Sequence, residues 1–341
     1  MNATLPARPA PPLASVAALV SVVVPAFNEA EALPLLHARL AAVLDGAGER
    51  WELIVVDDGS RDATSAVAER LRAADPRVAL LALSRNFGKE IALTAGLDHA
   101  RGAAVVLIDA DLQDPPELIP AMLAAWRDGN DMVYAERADR ASDHWLKRAT
   151  AAAFYRAMRH FGPVELPAQA GDFRLLGRNV VDALAQLRER HRFMKGLYAW
   201  VGFRSVGIPC VRAARAAGRT KWNYWALWNL ALEAITGFSV LPLKLASYLG
   251  LAVAGFAAVF GGQLVARTVL FGNKVAGYPS LMAVVLFLGG VQLITLGVIG
   301  EYLGRVFNET KRRPLYLVAR FDRAEEGVVG LVPGTELAAD S

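Results

Sequence analysis

Residues 20–24, four valines interrupted only by Ser21, are a β-rich run that ends in Pro25-Ala26-Phe27-Asn28-Glu29. The run predicts a buried strand over 21–25. Leu33, Leu36, Leu40 and Leu44 then recur at helical spacing and predict a helix over 30–44. The alternation repeats. Residues 52–56 predict a second strand, ending in Asp57-Asp58-Gly59-Ser60, and 62–73 a helix. Residues 78–83 predict a third strand, ending in Ser84-Arg85-Asn86-Phe87-Gly88-Lys89, and 90–100 another helix. Residues 103–108 predict a fourth. Repeated βα units predict a doubly wound, mostly parallel sheet with ligands outside the C-terminal ends of its strands. Polar clusters fall at four such ends: Asn28-Glu29, Asp57-Asp58, Arg85-Asn86 and Asp109-Asp111. One cluster is an ordinary turn; four on one rim point to a site.

The fourth cluster carries the chemistry. Asp109 and Asp111 are one residue apart, and in an extended strand end alternate residues share a face. Two carboxylates there suit a hard divalent cation, Mg²⁺ or Mn²⁺. Pro115-Pro116 stops the strand and opens a helix. No G-x-G-x-x-G follows the first strand. Gly88-Lys89 lacks the earlier glycine and the following hydroxyl of a Walker loop, which argues against dinucleotide binding and ATP hydrolysis.

The pattern changes in the second half. Residues 245–271 carry one charge, Arg267, and 278–300 carry none. Each run exceeds the roughly 20 residues that span hydrocarbon. The turn-rich connector 272–277 makes them a hairpin over 244–304, with spans of about 245–270 and 279–300. Lys244, Arg305, Lys311, Arg312 and Arg313 outnumber Arg267 and Lys274, which places both outer ends in the cytoplasm. Trp222, Trp225 and Trp228 share a helix face, so 221–243 reads as an amphipathic helix in the headgroups. The remaining segments are a disordered tail, 1–17, a catalytic domain, 18–220, and a cytoplasmic C-terminal tail, 305–341. Residues 13–24 imitate a signal peptide. Only Arg8 precedes the run, which leaves as a strand.

Composition agrees. The 341 residues are 54% hydrophobic with 37 Lys+Arg against 33 Asp+Glu. This is no nucleic-acid-binding balance, and nucleic acid is not expected as a partner. A single cysteine, Cys210, excludes an intramolecular disulfide and a cysteine zinc site.

The segments VSVVVPAFNEAE, WELIVVDDGSRDAT, SRNFGKEIALTAGLDHARG and IDADLQDPPE resemble those of family 2 glycosyltransferases of the GT-A fold. DMVYAER, GDFRL, RFMKG and GEYLGRVFNETKRRPLY sharpen this to the polyprenyl-phosphate glycosyltransferases, in particular the bactoprenol glucosyltransferases of O-antigen modification. The resemblance implies that Asp57 recognises uracil, that Pro25, Asn28 and Glu29 line the nucleoside pocket, and that Asp109 and Asp111 hold metal and diphosphate beside Gln113. Asp58, Asn86 and Lys89 join the donor-site candidates, with Arg215 and Lys221 near the donor phosphates. It places Arg137, Lys147 and Arg148 on the acceptor phosphate. Asp172 is a candidate for positioning donor or acceptor, against a plain ion pair with Arg174.

The implied reaction is inverting transfer of glucose from a UDP-sugar to undecaprenyl phosphate at the cytoplasmic face of the inner membrane. The product is a lipid-linked sugar for cell-surface glycan modification. A lipid phosphate is mostly dianionic at neutral pH, since its second pKa is about 6, and needs no general base. Alternatives are transfer from GDP-mannose in the manner of dolichol-phosphate-mannose synthases, or a non-catalytic anchor or flippase subunit. A processive synthase would carry Q-x-x-R-W, where this chain reads Glu189-Arg190-His191-Arg192-Phe193. Assembly into a homo-oligomer stays open.

Overall fold

A computed structural model describes residues 18–137, 170–190, 192–210, 241–271 and 277–325. They fall in two units, one built on a sheet and one on two long helices. The sheet unit begins with β1 (Val20–Ala26), α1 (Ala32–Gly46), β2 (Trp51–Asp57), α2 (Thr64–Ala74) and β3 (Val78–Leu83). It continues with α3 (Lys89–His99), β4 (Ala104–Leu107), a 3-10 turn (Pro116–Leu118), α4 (Ile119–Arg127) and β5 (Met132–Arg137). Then come β6 (Ala170–Gly177), α5 (Arg178–Gln186), α6 (Met194–Trp200) and β7 (Ser205–Cys210). The first seven predicted elements form within about two residues of the expected bounds.

The sheet has eight strands in the order β7-β5-β6-β4-β1-β2-β3-β8, where β8 is Val318–Asp322. Strands β1 to β4 are parallel neighbours, and the chain order reverses between β1 and β4. That is the switch point at which such sheets bind ligands. Strand β6 runs antiparallel to β4 and to β5, while β7 is parallel to β5. Thus β5 and β7 end on the same rim as β1 to β4, and β6 begins there.

Burial explains the apolar runs. Val22, Val23 and Val24 of β1 are all inaccessible, as expected of a strand covered on both faces. The predicted Leu33, Leu36, Leu40 and Leu44 stripe of α1 is wholly buried. Helix α3 lies close enough to β1 that a Cβ on Gly96 would sit 2.2 Å from Val23 Cγ1. At the opposite edge of the sheet from the rim, the buried Glu52 carboxylate accepts Ser21 Oγ at 2.6 Å and both Nε and an amino group of Arg101 at 3.0 and 2.6 Å. Its charge is therefore paired and hydrogen-bonded, as burial requires.

Strand β8 was not expected; its residues were read as part of a tail. It pairs antiparallel with β3, and Leu317 O accepts the Ser84 backbone N–H at 2.9 Å. Tyr316 Oη donates to Asp98 at 2.8 Å, which also takes both amino groups of Arg188. His99 meets Phe321 edge-on, with ring centroids 4.7 Å apart. The segment is thus fastened to the C-terminal end of α3.

The second unit holds α7 (Leu241–Phe271) and α8 (Tyr278–Thr310), which pack on one another. Both carry exposed large apolar side chains, among them Leu251, Phe256, Val269, Leu281 and Leu293. Among the described residues one stretch, Phe287–Thr310, is long and apolar enough to cross a membrane, while that of α7, Leu245–Phe256, is shorter. Two long helices thus stand where the pair of spans was expected, and one of them holds a stretch that meets that measure. Residues 221–240 of the expected interfacial helix lie outside the described residues.

Candidate functional site

Three loops at the rim are sewn together by hydrogen bonds between side chains and backbone N–H groups. After β1, Asn28 takes a left-handed conformation (φ 59°), and its Oδ1 accepts the Arg61 N–H at 2.9 Å. Its own N–H donates to Ser60 Oγ, and that of Glu29 to Thr64 Oγ1. After β2, Asp57 Oδ1 accepts the Ser60 N–H at 2.9 Å. Asp58 turns the other way: its carboxylate takes the N–H groups of Phe87 and Gly88 at 2.7 and 2.9 Å. Burial raises the Asp58 carboxyl above its ordinary range, partly offset by those two bonds. Gly59 (φ 69°) approaches the Arg85–Asn86 backbone so closely that a Cβ would lie 2.5 Å from Arg85 C. Of the expected donor-site residues, Pro25, Asn28, Glu29, Asp57 and Asn86 lie on this braced rim. Asp58 supports the loop that starts α3.

Lys89, the first residue of α3, places its ammonium 2.7 Å from the Asp109 carboxylate and 2.9 Å from Asp172. Lys195, near the start of α6, reaches Asp172 at 3.1 Å. The four side chains stay accessible, at 25% exposure for Asp109 and 34–40% for the others. Crowding at the rim raises the Asp172 carboxyl, but the two ammonium groups outweigh it and hold Asp172 well below the usual carboxylate range. The same crowding lowers Lys89, but Asp109 and Asp172 outweigh it and hold it above the usual lysine range. Asp172 pairs with these lysines rather than with Arg174. Arg174 is buried, donates Nε–H to Gly171 O at 3.1 Å and lies over the Tyr198 ring at 4.4 Å.

The strand that carries the metal candidates ends sooner than expected. β4 stops at Leu107, and Asp109 to Leu112 form a turn in which Leu112 is left-handed (φ 60°). Asp109 and Asp111 are therefore set by that turn rather than by strand alternation. Asp111 Oδ1 accepts the Gln113 N–H at 3.2 Å. Among the described residues no set of three histidine, cysteine or carboxylate groups offers itself to a metal. Two hard oxygen donors are nonetheless what Mg²⁺ usually takes from a protein when substrate phosphates complete the shell. The donor set fits such an ion.

Lys195, Glu90 and Arg174 received no role from the sequence. Lys195 stands in the quoted RFMKG motif, and its charge, one of two in the motif with Arg192, was the available signal. The side chain of Arg137, and all of Lys147, Arg148, Arg215 and Lys221, lie outside the described residues. Glu90 follows Lys89 and accepts the Met194 N–H at 3.3 Å. Burial, and then the charge of Asp172, push its carboxyl up to about 7. An unfolded Glu90 ionises near its ordinary value, so the stability it contributes is present at low pH. That contribution is lost as pH rises through about 7. Glu90→Gln removes this loss. The stability of the variant relative to wild type is expected to rise between about pH 4.5 and pH 7 and then level off. Thermal unfolding of both proteins across that interval checks it; parallel curves would contradict the assignment.

The glycosyl transferase family 2 model matches residues 21–185. An uncharacterized glycosyltransferase of Synechocystis is 50% identical over 300 residues, covering 88% of this chain and 94% of its own. A prophage bactoprenol glucosyl transferase homolog of Escherichia coli K12 is 48% identical over 301 residues, covering 88% and 98%. Glucosyl-3-phosphoglycerate synthase from Mycobacterium tuberculosis, solved with Mn²⁺ and UDP-glucose, is 21% identical with a TM-score of 0.42, covering 64% of this chain and 77% of that one.

Proposed function

The chain belongs to glycosyltransferase family 2, and from that membership we propose that it transfers glucose from UDP-glucose to undecaprenyl phosphate. The observation that carries this reading is the match, over 98% of its length, to a relative named for bactoprenol glucosyl transfer. The rim at the switch point, where carboxylates and ammonium groups gather, suits a substrate that carries a diphosphate.

A dianionic lipid phosphate attacks the anomeric carbon directly, and nucleotide diphosphate leaves from the opposite side with inversion. Because the acceptor is already ionised at neutral pH, no side chain must remove a proton. Asp57 and the Pro25 and Asn28-Glu29 loop hold the nucleoside, Asn86 belongs to the same donor site, and Gln113 stands beside Asp109 and Asp111 at the diphosphate. Asp109 and Asp111 would hold Mg²⁺ or Mn²⁺, which when bound would supply charge to stabilise the leaving diphosphate. Lys89 adds fixed positive charge beside Asp109. Arg215 and Lys221 serve the donor phosphates, and Arg137, Lys147 and Arg148 the acceptor.

The two long helices form a membrane hairpin in this reading. At 1.5 Å per residue α7 and α8 measure about 46 and 50 Å, against roughly 30 Å of hydrocarbon. Connectivity supports a pair of crossings. The chain leaves the sheet after β7 and returns to it as β8, bonded to β3. A single crossing by α8 would leave β8 on the wrong side of the bilayer from its own sheet. If α8 crosses the bilayer, a second crossing must bring β8 back to its sheet, and α7 is the long helix available to make it. Cysteines placed at Lys274 and Lys311 test this, since native Cys210 is buried. An impermeant maleimide should label position 274 from outside intact cells and position 311 only after they are opened. Labelling of both from one side would refute the hairpin.

The direct test of function mixes purified protein, undecaprenyl phosphate, divalent metal and single nucleotide-sugars. UDP-glucose should yield UDP and a glucosylated lipid. Failure with UDP-glucose would overturn the donor assignment, and failure with every nucleotide-sugar the acceptor.

A further inference from the structure

The transfer reading uses Lys89 for its charge beside Asp109 but leaves Lys195 and Asp172, which join it at the rim, without a role. Lys89 and Lys195 come from different helices, and both ammonium groups converge on the single carboxylate of Asp172, at 2.9 and 3.1 Å. Asp172 enters from β6, at the end of that strand which begins on the rim. All three side chains remain more than a third accessible. The base of Lys195 is fixed: Met194 beside it is buried and its N–H is held by Glu90.

We propose that Lys89 and Lys195 are the two prongs of a phosphate grip, and that Asp172 is the internal counter-ion occupying it until a substrate phosphate arrives. This rests on the transfer reading, which supplies the phosphates. A carboxylate that bridges two ammonium groups occupies the place one phosphate group would bridge, with less charge and fewer acceptor oxygens. Accessible ion pairs are individually weak, so this exchange is easy. Lysine suits it, being a point charge on a flexible stem that can swing from one oxyanion to another. The lowering of the Asp172 carboxyl by both ammonium groups agrees in direction, with Lys89 shared between Asp172 and Asp109.

The phosphate is either the diphosphate of the donor or the monophosphate of the lipid, and the two arms of one experiment separate them. Equilibrium binding of UDP, and of a short-chain polyprenyl phosphate, is measured on the full chain in detergent. Lys195→Ala should weaken binding of one or both about tenfold or more, the scale of one charge-assisted hydrogen bond. The arm that weakens names the source. Asp172→Asn should bind that same ligand more tightly than wild type, because the lysines lose their competitor. Opposite signs from two variants of one cluster are what a merely structural ion pair does not produce. Unchanged affinities in Lys195→Ala, or weaker binding by a folded Asp172→Asn, would overturn the proposal; thermal unfolding checks the folding. Should Asp172→Asn fail to fold, Lys195→Ala and Lys195→Gln decide alone. If wild type binds neither ligand, the transfer reading itself falls, and the grip with it.

Discussion

Asp111→Asn is expected to lower the turnover of sugar transfer by about 10²–10³-fold or more while the protein unfolds at nearly the wild-type temperature. That scale is what losing one preorganised charge-stabilising group typically costs. Asp111 is the better choice of the two carboxylates. Asp109 lies 2.7 Å from the Lys89 ammonium, so neutralising it would also disturb the Lys89–Asp172 cluster. The Asp111 carboxylate accepts the Gln113 N–H, and an Asn amide oxygen can still do so. The turn around the left-handed Leu112 is thus kept while the charge is removed. The measurement is turnover at saturating donor and acceptor, with a metal titration alongside. Near-wild-type turnover at ordinary metal concentrations would remove Asp111 from the metal site.

Arg137→Ala is expected to raise the KM for polyprenyl phosphate by about 10- to 150-fold, from roughly 1.5–3 kcal/mol for a charge-assisted hydrogen bond. The KM for the nucleotide-sugar should change little. Strand direction motivates this. β5 is parallel to β7, antiparallel to β6 and so aligned with β1 and β4, and Arg137 is its last residue, in register with Cys210. Its backbone therefore leaves the sheet on the rim that carries Asp109. Arg137→Lys should restore part of the loss, because lysine keeps the charge but not the planar fork that grips two phosphate oxygens. If Arg137 only pairs with surface carboxylates such as Glu136, both constants would hardly move. A loss confined to the donor would transfer Arg137 to the nucleotide site. Varying the two substrates separately for both variants distinguishes these outcomes.

What the sequence made legible is what local pattern encodes. The α1 leucines, the apolar runs of β1 to β4 and the polar ends of those strands are each visible in a window of a dozen residues. β6 was less visible because its sequence, AGDFRLLG, places Asp172 and Arg174 inside a strand. Arg174 is tolerated there because the ring of Tyr198, from α6, lies against its guanidinium, a partner no local pattern shows. β8 reads as tail for the same reason: two of its five residues, Arg320 and Asp322, are charged, and its partner lies far back in the chain. In the site, Lys89 and Asp109 were each identifiable, but the bridge to Asp172 spans 83 residues. The prediction that Asp109 and Asp111 share a strand face gave way because the chain turns at Leu112, a left-handed leucine that residue type disfavours.

The late position of β8 also sets a timetable for making the protein. β3 is finished at Leu83, but the strand that covers its outer edge begins at Val318. At about 5–20 residues per second, synthesis leaves that edge bare for some tens of seconds. During that interval every residue of α7 and α8 emerges. An open strand edge invites pairing with other chains, so the nascent sheet needs shielding while the apolar helices are being delivered. β8 can close β3 only once both long helices have been synthesised. Chains that stop short of residue 318 would keep an unsealed edge, and quality control could recognise them by it.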